Sequence, residues 1–171
     1  MQRIASATGR AIRPRIRRQR LVVVAPRVVE VVRCTGGWLF DRVMAGWEVT
    51  VLIVDHTDTR PLRILGAGVG DLESALAMPP LGPAPQALAV EAGLYESDTR
   101  VRRMVRDALD RSVAEVWLWG EGLSAANGPV RHRLSVAARA FKAQALVAAV
   151  GPADSVPVTE LFFHTSSLIP A

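Results

Sequence analysis

The sequence feature that most constrains the fold is a pair of short apolar runs joined by a segment of helix length. The first run is Leu21–Val24, and the second extends from Trp47 to Val54. Continuous, mostly β-branched runs of this length are typical of strands buried on both faces of a parallel sheet. Two parallel strands need a crossover of a dozen or more residues, usually a helix. The sequence therefore predicts a β-α-β unit between Arg20 and Asp55.

The segment between the two runs has the pattern of an amphipathic helix. Gly46 is suited to end this helix in the left-handed conformation. The pair Gly36-Gly37 costs a helix on the order of 1 kcal/mol per glycine, and it indicates a close backbone approach or a helix that begins after a loop. The apolar residues that recur at helical spacing are Val28, Val31, Val32, Leu39, Phe40, Val43 and Met44.

Beyond Asp55 the chain continues to alternate between predicted strands and helices. Strands are predicted at 62–65, Ala87–Val90, Val113–Trp119 and Val156–Phe163, the last at a sheet edge or beginning at Pro157. Helices are predicted from a cap at Asp71 to Ala77, over Asp98–Arg111, and from a cap at Asn127, with Pro129 in its first turn, to about Val150. The inward face of this last helix is predicted to be Leu134, Ala137, Ala138, Phe141, Ala145 and Leu146.

This alternation predicts an α/β fold, a Rossmann-like three-layer sandwich with a mostly parallel sheet. The runs Leu21–Val24, Val49–Val54 and Val116–Trp119 are expected to be parallel neighbours in that sheet, with helices on both faces. Residues 20–171 are predicted to form a single α/β domain.

Residues 1–19 are predicted to form a flexible, arginine-rich arm. The first twenty residues contain seven arginines and no acid, whereas the rest of the chain holds all 16 acidic residues and is nearly neutral. Such an arm is suited to an anionic partner such as nucleic acid, phosphate or an acidic protein. No aromatic residue is interleaved to stack on bases. A transit peptide and a solvated tail that folding does not need are the alternatives.

Several classes of protein are disfavoured by composition. The single cysteine, Cys34, excludes a disulfide framework or a cysteine metal cluster, and we expect it to be a buried, unreactive thiol on the crossover helix. No apolar run reaches the length of a membrane span, and no secretory signal follows the N-terminus. We therefore expect a cytoplasmic protein without a membrane partner. The bias of twenty arginines to one lysine is typical of GC-rich bacterial genomes.

Polar side chains follow the second strand, at Asp55, His56, Thr57 and Asp58. The carboxyl ends of parallel strands are the usual ligand-binding edge of such a sheet. His56 and Asp58 are able to hold a metal, but two ligands do not make a site, so a polar strand-end loop is the alternative. Glycines 66, 68 and 70 lack the G-x-G-x-x-G spacing of a dinucleotide-binding loop.

The spacing from Pro26 onward resembles that of a known family. The pattern is a strand, Ala25-Pro26, nine residues, Gly36-Gly37, eight residues, Gly46 and then the strand beginning at Glu48. It is similar to the LmbE-like, or PIG-L, family of zinc-dependent N-acetylglucosaminyl deacetylases. Residues 114–141 also resemble that family, whose His-Pro-Asp-His motif opens a long helix. The resemblance implies a Rossmann-like fold, and it places a helix rather than a strand at 62–77.

The resemblance also implies which residues occupy the catalytic positions, and most of them do not suit the chemistry. The first zinc-binding histidine of the family corresponds to Arg27, the general-base aspartate to Val29 and the second zinc ligand to Glu30. Arginine stays protonated and does not bind zinc, and valine does not accept a proton.

In the second segment, the third zinc ligand corresponds to His132. The histidine that polarises the substrate carbonyl corresponds to Pro129, and the acid between them to Arg131. We therefore expect no catalytic residues and no cofactor, and no metal unless Glu30 and His132 hold one. The candidate cleft residues are Arg27, Glu30, Asp55, His56, Arg131 and His132.

Three functional hypotheses follow. The first is a catalytically inactive, deacetylase-like protein that acts as a binding or interaction module. The alternative is a metal-dependent hydrolase or deacetylase with an altered site built from Glu30, Asp55, His56 and His132. A further alternative is a protein whose arginine-rich arm joins it to nucleic acid or to a complex.

Overall fold

The two apolar runs form neighbouring parallel strands in the middle of the sheet. The computed structural model describes residues 18–78, 84–111, 115–121, 123, 128–152 and 155–164. Strand β1 is Arg20–Arg27 and strand β2 is Glu48–Asp55, paired from Arg20 opposite Glu48 to Arg27 opposite Asp55. The segment between them is helix α1, Val28–Met44. The predicted β-α-β unit is confirmed.

Helix α1 buries most of its predicted apolar stripe. Val43 is half-buried, and Met44, the last helical residue, is 69% exposed. Gly46 ends the connection with a φ of 88°, as predicted, since a side chain is strained in that conformation. At the pair Gly36-Gly37 the backbone of α1 closely approaches another side chain, because a Cβ atom at Gly37 would lie 2.4 Å from Leu134. Cys34 is half-buried, and burial raises the pKa of its thiol.

The remaining elements follow the predicted alternation, with differences at residues 62–71, 92–97 and 130–135. In chain order they are α2 (Arg60–Ile64), β3 (Gly68–Asp71), α3 (Leu72–Ala77), β4 (Ala87–Glu91), α4 (Ala92–Ser97), α5 (Thr99–Asp110), β5 (Glu115–Trp119), β6 (Val130–Arg133), α6 (Val136–Val150) and β7 (Thr159–His164). The side chains of Asp71 and Asp98 cap α3 and α5, as predicted. The predicted cap Asn127 and the arm up to residue 17 lie outside the described residues.

The strands form one sheet in the order β3-β2-β1-β4-β5-β7-β6. The first five are parallel, and β7 is antiparallel to both β5 and β6. Helices α1, α2 and α6 cover one face with the larger apolar cluster, and α3, α4 and α5 cover the other. The α/β three-layer fold is therefore confirmed. The three runs predicted to be neighbours are parallel in this sheet, although β4 lies between β1 and β5.

Residues 62–65 are not a strand. They belong to α2 and the turn after it, with Pro61 in the first turn of the helix, and Leu62 and Leu65 are fully buried. A short apolar run suits a buried helix as well as a strand, and proline favours the start of a helix. The helix that the family resemblance implied over 62–77 is present only in part, because strand β3 separates α2 from α3.

Residues 130–133 are not the first turn of the last helix. They form β6, because β7 offers an antiparallel partner that pairs Val130 with Phe162 and Arg133 with Thr159. Helix α6 begins at Val136, and the hydroxyl of Ser135 accepts a hydrogen bond from the Ala138 N–H. Consequently β7 lies inside the sheet rather than at its edge.

The inward face of α6 also differs from the prediction. Ala138, Ala145 and Leu146 are buried as expected, but Ala137 and Phe141 are exposed, and Lys142 is fully buried. None of the described helices has the length and apolarity needed to cross a membrane.

Candidate functional site

A cavity of about 140 Å³ lies at the carboxyl ends of β1 and β2, beside the start of α1. Its apolar lining comes from Val28, Val29, Pro61 and Ala149, and its polar lining comes from Arg27, Asp55, Thr57 and Asp58. This edge is where ligands bind in open parallel sheets. Two of the six predicted cleft residues, Arg27 and Asp55, therefore line the cavity.

Arg27 and Glu30 form an ion pair at the mouth of this cavity. Arg27 ends β1 in an extended conformation and stands immediately before α1. Its Nε atom donates to Glu30 Oε1 at 3.1 Å, and its Nη2 atom donates to the same oxygen. These bonds raise the pKa of Arg27. The other oxygen, Oε2, is buried without a hydrogen-bond partner. One oxygen of Glu30 is therefore paired with a permanent cation, and the other is buried.

The polar residues after β2 form turns and caps rather than one cluster. Asp55 accepts hydrogen bonds from the backbone N–H of Thr57 at 2.9 Å and from its hydroxyl, and these bonds lower the pKa of Asp55. Asp58 accepts from the backbone of Arg60 at 2.9 Å. The Nε2 atom of His56 lies 3.0 Å from Asp71 Oδ2. His56 and Asp58, predicted as a possible metal pair, therefore bind different partners.

His132 lies far from Glu30. It sits in β6 rather than at a helix start, and its Nε2 atom lies 2.9 Å from Asp41 Oδ2 near the end of α1. At 1.5 Å rise per residue, Glu30 and Asp41 are separated by about 16 Å along α1. The structure therefore does not bring the two predicted metal ligands together. Arg131 is exposed and precedes His132 in the strand, so its side chain points to the opposite face of the sheet.

Asp41 joins α1 to the segment between β6 and α6. It accepts a hydrogen bond from the backbone N–H of Ser135 at 3.3 Å and interacts with the hydroxyl of that residue as well as with His132. Burial alone would raise the pKa of Asp41, but the bonds to Ser135 and His132 outweigh it, so the pKa is lowered. The geometry is that of a structural connection, because both Ser135 and His132 bond to Asp41.

The residues at these positions do not fit a hydrolytic zinc centre. Such a centre takes three protein ligands and leaves a position for water. Among the described residues, no group of three or more histidine, cysteine, aspartate or glutamate side chains is placed to hold a metal ion. Arg27 brings a positive charge to the position where the family resemblance implies a ligand.

A buried polar cluster escaped the sequence-based prediction. The ammonium of Lys142 donates to Glu160 Oε1 and to the carbonyl oxygen of Arg33, each at 2.6 Å. Glu160 also accepts the backbone N–H groups of Gly37 at 2.9 Å and Trp38 at 2.7 Å. The only signal in the sequence was a lone lysine in a helix that is otherwise almost entirely apolar. The cluster ties α1, α6 and β7 together.

The fold is shared with solved deacetylase structures. No protein-family model and no curated protein matches the sequence. The A40926 pseudoaglycone deacetylase Dbv21 matches with a TM-score of 0.59 and 16% identity, over 86% of this chain and 97% of that chain. The conserved protein TT1542 from Thermus thermophilus matches with a TM-score of 0.59 and 18% identity, over 88% and 96%. A deacetylase from the teicoplanin biosynthesis pathway matches with a TM-score of 0.51 and 14% identity, over 75% of this chain and 82% of that chain. At these identities the TM-scores show a shared fold alone.

Proposed function

We propose that this protein is a catalytically inactive member of the deacetylase-like fold that acts as a binding or interaction module. The observation that carries the proposal is the Arg27–Glu30 ion pair at the carboxyl end of β1. This is the position where the family resemblance implies the first zinc ligands. A guanidinium stays charged at every physiological pH. A zinc ion placed here would meet a like charge and would compete with Arg27 for the one remaining carboxylate.

The position of His132 supports the same proposal. A zinc ion lies about 2 Å from each of its nitrogen and oxygen ligands, so those ligands must meet at one point. His132 is instead paired with Asp41 at the other end of α1 from Glu30. Moving the imidazole to Glu30 would break this pair and the antiparallel pairing of β6 with β7.

The cavity is smaller than the usual site of a small-molecule substrate. Sites for small-molecule substrates are usually clefts of about 300–1,000 Å³, and this cavity has a volume of about 140 Å³. Its apolar floor carries a charged rim in which Arg27 stands beside Asp55 and Asp58. Such a rim is suited to a small polar group or to a side chain presented by another protein.

The test combines metal analysis with an activity assay. The full chain is expressed in zinc-replete medium, purified and measured for zinc content and for deacetylation of N-acetyl amino sugars. We expect less than stoichiometric zinc and no turnover above that of a heat-inactivated sample. The matched variants Glu30→Gln and His132→Ala are expected to leave both values unchanged, because neither residue holds a metal in this proposal.

The alternative hydrolase with an altered site makes the opposite prediction. Stoichiometric zinc that falls in Glu30→Gln or His132→Ala, together with turnover that falls in parallel, would refute inactivity. Zinc and turnover that fall in His56→Ala would place the site after β2 instead. Binding without turnover is tested by thermal shift with the same sugars, and Arg27→Ala is expected to abolish any stabilisation that the cavity provides.

A further inference from the structure

Helix α6 has apolar residues on all of its faces, although only one face is covered in the described structure. Among its residues only Arg139, Lys142 and Gln144 are polar, and Lys142 points into the core. The covered face packs on α1 and α2 and includes Ala138, Lys142, Ala145 and Leu146. A helix that is hydrophobic all round is normally buried all round. The outer face therefore has the composition of an interface.

The outer face carries a coiled-coil pattern. Its apolar residues follow one another at alternating intervals of four and three, which is the spacing of the two apolar positions of a heptad. Val136 is 82% exposed, Val147 50% and Val150 48%. The small residues in the middle allow a second helix to approach closely. The outer stripe consists of Val136, Ala140, Ala143, Val147 and Val150.

The exposed apolar surface extends beyond this stripe. Phe141 is 44% exposed and stacks on Phe40 at 4.4 Å between ring centroids. Met44, one helical turn beyond Phe40 on α1, is 69% exposed. If such side chains have full areas of roughly 150–200 Å², the five large ones leave on the order of 500 Å² exposed. That is near the upper end for the largest apolar patch on a typical monomer.

We propose that the outer face of α6 is the two-fold interface of a homodimer. The order Val136, Ala140, Ala143, Val147 reads the same in both directions, with intervals of four, three and four. A two-fold axis at its centre would set each Ala140 against Ala143 of the partner subunit and each Val136 against the partner's Val147. A two-fold contact requires a self-complementary patch of this kind.

Charge favours a second copy over a polar partner. The three valines of the stripe hold roughly half of the exposed apolar area, so two facing stripes would bury on the order of 500–600 Å², which fits a weak, reversible contact. Helix α6 contains no acidic residue, and Arg139 is its one exposed charge, at the edge of the stripe. The face therefore offers little charge for recognising a polar partner, and the two Arg139 side chains of a dimer would lie on one exposed rim, where salt screens them. The proposal is independent of what binds in the cavity.

The test is the oligomeric state of the full chain, measured by sedimentation velocity from low to high micromolar concentration. We expect a reversible dimer. Val147→Glu and Ala140→Glu each place two carboxylates in the symmetric interface, so the dissociation constant should rise by roughly 100-fold or more. Met78→Glu is the control, because Met78 is 55% exposed but lies after α3 on the other side of the sheet. Its dissociation constant should match that of the wild type.

A cross-linking variant gives an independent readout. Ala140 faces Ala143 of the partner subunit across the proposed axis, so oxidation of an equimolar mixture of Ala140→Cys and Ala143→Cys chains should give a covalent dimer. The wild type, with only Cys34, should not. A wild-type monomer at the highest concentration would overturn the proposal, and would mean that chain segments outside the described residues cover the stripe or that it is left exposed. A dimer that persists in Val147→Glu, or open-ended association, would also overturn it.

Discussion

Replacing Lys142 by methionine tests how strongly the fold depends on one buried ion pair. Lys142 is 0% and Glu160 is 3% exposed, and their Nζ and Oε1 atoms are 2.6 Å apart. Methionine preserves much of the side-chain volume but leaves Glu160 in the interior without a counter-charge. Removing one partner of a buried pair typically costs about 3–5 kcal/mol. For a domain of this size that corresponds to a fall in unfolding midpoint of roughly 6–20 °C.

The loss of stability in Lys142→Met should depend on pH. Burial already raises the pKa of Glu160 against the opposing effects of Lys142 and of the two backbone N–H groups. Removing the ammonium raises this pKa further. A carboxyl whose pKa is raised in the folded state adds most to the free energy of unfolding below its unfolded pKa of about 4.3. This contribution to stability is lost as pH rises through the folded value of the pKa. Lys142→Met should therefore be closer to wild type in acid than at neutral pH.

Urea denaturation at one fixed protein concentration measures these differences. The double variant Lys142→Met/Glu160→Gln removes both charges and keeps an acceptor for one of the two α1 N–H groups. Because it leaves no unpaired charge in the interior, it should be more stable than Lys142→Met alone. Arg106→Met on the exposed face of α5 is the control and should change stability by no more than about 0.5 kcal/mol. A loss below about 1 kcal/mol in Lys142→Met, or a double variant less stable than the single, would refute the reasoning.

Three further predictions concern other contacts. Gly37→Ala should destabilise the protein by about 1–3 kcal/mol, because its Cβ would lie 2.4 Å from the Leu134 side chain. Gly36→Ala should be nearly neutral, because the nearest atom to its Cβ would be 3.3 Å away. Thermal unfolding of the two variants measures both effects. The pKa of Asp41 is lowered in the folded state, so its contribution to stability is complete above about pH 4 and is lost as pH falls through the folded value. The stability difference between wild type and Asp41→Asn should therefore shrink in acid, and a difference that grows would contradict this assignment. Cys34 is half-buried with a raised pKa, so native protein should react with a thiol reagent far more slowly than unfolded protein, and equal rates would disprove its protection.

The parts of the fold that the sequence predicted are those that local chemistry determines. Strands β1 and β2 are continuous apolar runs, and α1 between them has a helical stripe that ends near Gly46. The caps at Asp71 and Asp98 are likewise local, since each accepts a hydrogen bond from a residue two or three positions along the chain. Such features can be read without knowing the rest of the structure.

The predictions from sequence were wrong where a segment distant in the chain determines the local structure. Strand β6 has the sequence VRHR, which carries no strand pattern, and it is extended because β7 pairs with it. The environment of His132 was missed for the same reason, because its partner Asp41 belongs to α1. The inward direction of Lys142 was missed because an almost uniformly apolar helix gives no periodicity from which to choose a face.

The position of β7 has a consequence for the order of events during protein synthesis. The chain leaves the ribosome from its N-terminus, so α1 and α6 are complete before Glu160 has been made. Until then Lys142 has no carboxylate to pair with, and β6 has no β7 beside it. A nascent chain that packed α6 onto α1 at this stage would bury an unpaired ammonium, which is strongly unfavourable. Strand β7 therefore couples the native packing of α6 to the synthesis of Glu160, and a chain that lacks β7 cannot complete this part of its core.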